Sequence, residues 1–217
     1  TAYSPVPTTT SPSAESMTVL STACFGTVDR FRLLAREQAG GRAVAVADGA
    51  RFDKRYKDSH RFTIADTRGP LTLTIPICAP ERFPCRWADI IVSDHGRWTE
   101  TLPTALESAY GRTPYFEFYI DSLLPLIKGA PGTPLTLFNR LTESLLCQWF
   151  ALEPPVYDAD CRADGLRPAA AADSEPYWQV RAASLGFIPG LSALDLLFNL
   201  GPEAALFLQP LKSDINQ

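Results

Sequence analysis

The chain has 217 residues, 46% of them hydrophobic and 20% charged, with a formal net charge of -4. That is enough apolar content for a sizeable core and too little charge for global disorder, and the acidic balance argues against a nucleic-acid partner. No apolar run nears the roughly 20 residues that cross a bilayer, and the N-terminus lacks the charged start and apolar stretch of a secretory leader, so a cytoplasmic protein without membrane insertion is expected.

Residues 1–16, TAYSPVPTTTSPSAES, are rich in Ser, Thr and Pro and carry no periodicity; they read as a flexible tail ahead of one domain over 17–217. MTVLSTACF reads as a first strand. TVDRFRLLAREQ follows with Val28, Phe31, Leu34 and Ala35 at helical spacing, closed by Gly40-Gly41, and RAVAVAD is a second strand. Strand, helix, strand points to a parallel crossover. HRFTIADTRGPLTLTIPI reads as a hairpin, with Leu71, Leu73, Ile75 and Ile77 alternating as one half-buried strand and Pro76 at its end. ADIIVSD is a further strand.

From residue 101 helices dominate. TLPTALESAYG has Pro103 in its first turn and Gly111 at its end. TPYFEFYIDSLLPLIKG starts with Thr113 as cap and Pro114 at the first helical position, and Pro125 is expected to break or kink it. TPLTLFNRLTESLLCQWFAL places Leu137 or Phe138, Leu141, Leu145 and Trp149 on one face. EPPVYDAD is a short strand, and residues 162–176 are an Ala/Pro/Asp-rich loop long enough to serve as a lid. YWQVRAASLG and SALDLLFNLG are closing helices, the second with a Ser192/Asp195 capping box, and PEAALFLQPL is a last turn or two. The order predicts an α/β fold: a single domain with a mixed sheet from the N-terminal half and helices from the C-terminal half packed on it.

The chain has no GxGxxG, P-loop, GxSxG or HExxH motif, so ATP hydrolysis on a Walker loop and dinucleotide binding by the usual fingerprint are unsupported, and the cofactor is unknown. Five cysteines without a CxxC pair and two histidines fall short of a metal site. His95, in SDHGRW after a strand, is either a general base or part of a polar turn. Lys57 and Arg61, beside Asp58 and His60 in KRYKDSHRF, offer an anion site or a charged strand edge. Tyr110, with the aromatics of residues 115–119, would stack on a sugar or pack in the core. Cys24, after the first strand, is either a nucleophile or a buried apolar group. Asn199 either terminates a helix or shares a polar pocket with Asp195.

FGTVDRFRLL, YKDSHRF, GPLTLTIPI, IIVSDHGRWTETLPTALESAYGRTPYFEFY, LTLFNRLTESLL and GFIPGLSALDLLFNLGPE occur here in an order that resembles WbqC-like family proteins, above all those of Bacteroidetes type. The resemblance covers roughly residues 19–205. It implies a cytoplasmic protein linked to O-antigen and other surface-polysaccharide gene clusters. The implied reaction is transfer of an acyl or aminoacyl group, such as glycine, to a nucleotide-linked amino sugar or related metabolite. For that reaction His95 or Asp58 is the candidate base, Lys57 and Arg61 hold phosphate, and Trp98, Tyr110 and Asn199 line the substrate. The partner is thus a small molecule, with no nucleic acid; the oligomeric state is not legible. Leu102 stands where the family carries a histidine four residues after the tryptophan, and Lys57-Asp58-Ser59 stands for its Arg-Asn-Arg run. These departures point to the alternative of a catalytically degenerate binding or scaffold protein.

Overall fold

The computed structural model describes residues 17–81, 84–158 and 174–210. The expected tail and most of the expected loop at 162–176 fall outside them. Three short strands, β1 (Thr18–Leu20), β2 (Val44–Val46) and β7 (Val156–Tyr157), form a parallel sheet in the order β1-β2-β7. β2 lies in the middle and is buried along its length, as the unbroken run Val-Ala-Val requires. Helix α1 (Val28–Ala39) connects β1 to β2 and turns Phe31, Leu34 and Ala35 inward. Thr27 caps it, its Oγ1 accepting from the Arg30 N–H at 3.3 Å.

β3 (Arg61–Asp66) and β4 (Gly69–Thr74) form the expected hairpin in register from Arg61 opposite Thr74 to Asp66 opposite Gly69. Its burial is one-sided. Ile64 is fully buried, whereas Leu71, paired with it on the same face, remains 38% exposed. β3 is the strand that lies against α2 and α6, which leaves β4 on the outside. β5 (Ile77–Cys78) pairs antiparallel with β6 (Ile91–Val92). The expected mixed α/β architecture is present, with the sheet divided into three small pieces. β1 ends at Leu20, earlier than its apolar run suggests, because the backbone beyond it turns away: the Cys24 N–H donates to Asp58 O at 2.8 Å.

Helices α2 (Trp98–Tyr110), α3 (Phe116–Gly129), α4 (Leu135–Trp149), α5 (Ala182–Leu185), α6 (Ala193–Leu200) and α7 (Glu203–Leu208) complete the fold. α2 starts three residues before the expected point, which moves Pro103 into the second turn. α3 starts at Phe116 because Thr113 is already spent: its hydroxyl donates to Tyr110 O at 2.6 Å and closes α2. α3 also runs through Pro125. The carbonyl deprived of its donor there is that of Asp121, and both residues are exposed, so the carbonyl is open to solvent. On α4 the expected stripe is buried only in part: Phe138 lies in the core and Leu145 and Trp149 pack against it. Leu137 and Leu141 are 41% and 45% exposed, while the buried face carries Leu135, Phe138, Asn139, Thr142, Glu143 and Leu146. The expected helix over 177–186 shrinks to α5 because its backbone donors go elsewhere: the Val180 N–H donates to Asn199 Oδ1 at 2.9 Å. α6 is buried from Ala193 to Asn199 and forms the centre of the molecule, as a nearly all-apolar helix must.

Candidate functional site

The carboxyl ends of the three parallel strands converge on a polar region, the position where open α/β sheets present their ligands. The loop leaving β1, residues 21–27, is its floor. Phe25 adopts a left-handed backbone with φ 43°, a strained conformation for a non-glycine residue. It is held there because its ring packs on Phe62 and Phe138, with centroids at 4.8 and 5.8 Å, and its carbonyl accepts from Ser192 Oγ at 2.8 Å. Gly26 follows, and a Cβ there would lie 2.5 Å from Arg30 Cδ. Only glycine lets the arginine pass this close to the loop.

A cavity of about 110 Å³ opens here, lined among others by Cys24, Gly26, Arg30, Tyr56, Asp58 and Ser192. Arg30 is its buried cation, 8% exposed. Its Nε donates to Glu143 Oε1 at 2.6 Å and its Nη1 to Ser21 O at 2.9 Å, while Nη2 has no partner among the described residues. Burial works against the guanidinium charge, but Glu143 outweighs it, so Arg30 stays above its ordinary pKa. The other Glu143 oxygen accepts from Tyr157 OH at 3.0 Å. Asp58 also lines the cavity and is exposed. Desolvation raises its carboxyl above the usual range, and the nearby Arg30 charge pulls it partly back.

Beside the cavity, Asp48 follows β2, and its Oδ2 accepts from Arg140 Nη2 at 3.1 Å. Arg140 also lies over the Tyr157 ring at 4.6 Å. Burial raises the Asp48 carboxyl and Arg140 opposes this. Asn139 Nδ2 donates to Thr22 Oγ1 at 3.1 Å and to Ser59 O at 2.8 Å. Asp48 Oδ1 and Asn139 Oδ1 have no partner among the described residues. Buried polar atoms left unpaired are costly, and three of them lie by the residues that follow β1 and β2.

Of the residues singled out from sequence, Asp58 lines the cavity directly, and Lys57 and Arg61 are exposed on its flank. His60 is buried next to them, its Nδ1 3.0 Å from Ser59 Oγ. Burial, then the charges of Arg61 and Lys57, push its pKa down to about 4, so the imidazole is neutral at pH 7. Cys24 lines the cavity, but burial raises its thiol pKa far above the ordinary value, which removes the thiolate a nucleophile needs.

His95 is elsewhere. It is exposed in a turn with Gly96 at φ 78°, its backbone N–H donating to Ser93 Oγ at 3.0 Å. Trp98, Tyr110 and Asn199 do not face the cavity; they are core residues. The Trp98 indole donates to Ser93 O at 2.8 Å. Tyr110 OH accepts from the Ala65 N–H at 3.0 Å. Asn199 donates to Asp195 O at 2.7 Å within α6, and Asp195 is held by Tyr177 OH at 2.6 Å. Their polar atoms are engaged in joining the strap at residues 177–180 and the β3 edge to the core. Arg30, Glu143, Tyr157, Asp48 and Asn139 escaped the sequence reading. The available signal was polar residues on otherwise apolar helix faces: Arg30 beside Phe31 and Leu34, and Asn139 and Glu143 four apart beside Phe138 and Leu146. Among the described residues no group of three His, Cys, Asp or Glu could hold a metal ion.

Residues 42–166 match the model of the WbqC-like protein family. Over 202 residues the chain is 24% identical to uncharacterized protein Rv1507c of Mycobacterium tuberculosis (strain ATCC 25618 / H37Rv), covering 76% of this chain and 86% of that protein. No solved structure matches. The family match contains Asp48, Asp58, Asn139, Glu143 and Tyr157, whereas the β1 loop and Arg30 precede it.

Proposed function

The chain belongs to the WbqC-like protein family, and from that premise we propose that it transfers an acyl or glycine-type aminoacyl group to a nucleotide-linked amino sugar or related metabolite in surface-polysaccharide biosynthesis. The observation that carries this reading is the small cavity lined by a buried, partly unpartnered arginine and by a carboxylate whose pKa is raised. At about 110 Å³ it suits an acyl or aminoacyl group; whole drug-sized ligands occupy about 300–1,000 Å³. The sugar and its carrier remain outside, next to Lys57 and Arg61, whose charge suits phosphate.

In the transfer, the sugar amine attacks the carbonyl carbon of the activated donor. A carbon–nitrogen bond forms, the bond to the donor's leaving group breaks, and Asp58 takes the amine proton. Its raised pKa brings it closer to what a base needs near neutrality. Arg30 Nη2 donates to the oxygen that gains charge, from a site whose geometry Glu143 and Ser21 O have already fixed. A cytoplasmic setting goes with this chemistry; among the described residues no helix is long and apolar enough to cross a membrane.

The test is Asp58→Asn, which keeps the shape of a side chain that accepts no hydrogen bond among the described residues. With aminoacyl donor and nucleotide amino sugar supplied, product measured by mass spectrometry should form about 10²- to 10⁴-fold more slowly, with ligand-induced thermal stabilisation retained. Turnover equal to wild type would exclude Asp58 as the base. A second reading, a binding protein of the same fold without catalysis, draws on Leu102: it is 5% exposed in the core of α2, where the family resemblance places a histidine. Under that reading the ligands stabilise the protein and neither wild type nor variant forms product.

A further inference from the structure

Residues 50–52 and 85–87 meet as an isolated antiparallel bridge. The Phe52 N–H donates to Cys85 O at 2.9 Å and the Trp87 N–H to Ala50 O at 3.1 Å, placing Arg51 directly opposite Arg86. This is the non-hydrogen-bonded register, in which facing residues are closest, with Cα atoms about 4.5 Å apart. Side chains alternate across a strand, and Phe52 and Trp87 accordingly take the other face. Their rings meet edge-on at 4.7 Å, and Trp87 is buried in the core. The core therefore fixes the two backbones, and both arginines extend into solvent from a rigid platform.

Like charges directly opposite one another destabilise a strand pair. Asp53 is committed to Arg55, with Nη2–Oδ2 at 2.8 Å and Nε at 3.1 Å from both oxygens, although Arg51 also acts on it at longer range. Asp89 Oδ2 accepts the backbone N–H of Arg86 at 2.8 Å. Among the described residues neither guanidinium forms an ion pair. General basicity does not explain the arrangement, since the chain carries a net -4.

We propose that Arg51 and Arg86 form a clamp for a phosphate group, either free or carried by a nucleotide. Two guanidinium forks held side by side match the oxygens of a phosphate or diphosphate, and the anion relieves the repulsion built into the pair. The clamp is separate from Lys57 and Arg61 and does not depend on the transfer reaction.

The experiment is thermal unfolding of the full chain at fixed ionic strength with inorganic pyrophosphate. The comparison set is wild type, Arg51→Gln, Arg86→Gln, the double variant Lys57→Gln/Arg61→Gln, and Arg112→Gln as an exposed control. Pyrophosphate should raise the wild-type Tm, and each of the first two variants should need at least about tenfold more anion for the same rise. Arg112→Gln should respond as wild type. In a parallel arm with UDP, a larger rise assigns the phosphate to a nucleotide and an equal rise to the phosphate alone; both support the clamp if Arg51→Gln and Arg86→Gln again need at least about tenfold more ligand for the same rise. A wild-type Tm that pyrophosphate does not move would overturn the proposal. So would a rise that survives both arginine variants and disappears only in the Lys57/Arg61 double variant, which would place the anion at the cavity mouth and leave the transferase reading intact.

Discussion

Arg30 gives the candidate site its polarity and also its greatest internal stress. Its charge is buried, and Glu143 compensates it at 2.6 Å. Such a pair contributes little net stability when intact but is expensive to break, because the remaining charge has nowhere to go. Glu143→Ala should therefore lower unfolding stability by about 3–5 kcal/mol, read by urea denaturation. Tyr157→Phe, which removes one hydrogen bond to the same carboxylate, should cost only about 1 kcal/mol. Similar small losses for both would mean that Arg30 is not held as described. At this scale the sequence was only partly readable. Asp58, Lys57 and Arg61 stood out because charge clustered in nine residues. Arg30 and Glu143 are 113 positions apart, and no local pattern links them. His95 stood out for its residue type alone, and its turn chemistry, with Gly96 at φ 78°, describes it better.

Elements were easier to read than their faces. Helical spacing located α1, α4 and α6, and the Gly-bounded alternation located the β3–β4 hairpin. The buried side of α4 was placed only in part, because the apolar stripe of Leu137 or Phe138, Leu141, Leu145 and Trp149 is cleaner than the mixed face that packs deepest, with Asn139, Thr142 and Glu143. A helix face that serves a polar site breaks the binary pattern from which burial is read. Helix boundaries moved where a cap residue had two possible employers, as Thr113 had between α2 and α3. The junction between α6 and α7 supplies a test. Gly201 sits at φ 55°, and a Cβ there would fall on the ring of Tyr115, which opens the way into α3. Gly201→Ala should cost at least about 2 kcal/mol through left-handed strain and overpacking together, seen as a lower Tm. An unchanged Tm would show that the α3 entrance yields easily.

Across the whole molecule, one apolar cluster runs from Leu20 in β1 to Leu208 in α7. It gathers three small sheets around α6 instead of the one larger sheet that chain order suggested. The parallel class could be read from strand–helix–strand order, but the third partner, β7, comes 110 residues after β2 and has only two residues. EPPVYDAD was legible as a short strand, but its partner was not, since no local pattern links segments so far apart. Its pairing with β2 nevertheless decides the function assigned here, because it brings Tyr157 over Glu143 and completes the polar region at the strand ends. The most direct test is a titration of ¹⁵N-labelled protein with a nucleotide-linked amino sugar, following backbone amide shifts. Ligand entering the cavity should move the amides of Ser21 to Thr27, of Tyr56 and Asp58, and of Ser192. Shifts confined to His95 to Trp98, or to the surroundings of Tyr110 and Asn199, would contradict the assignment.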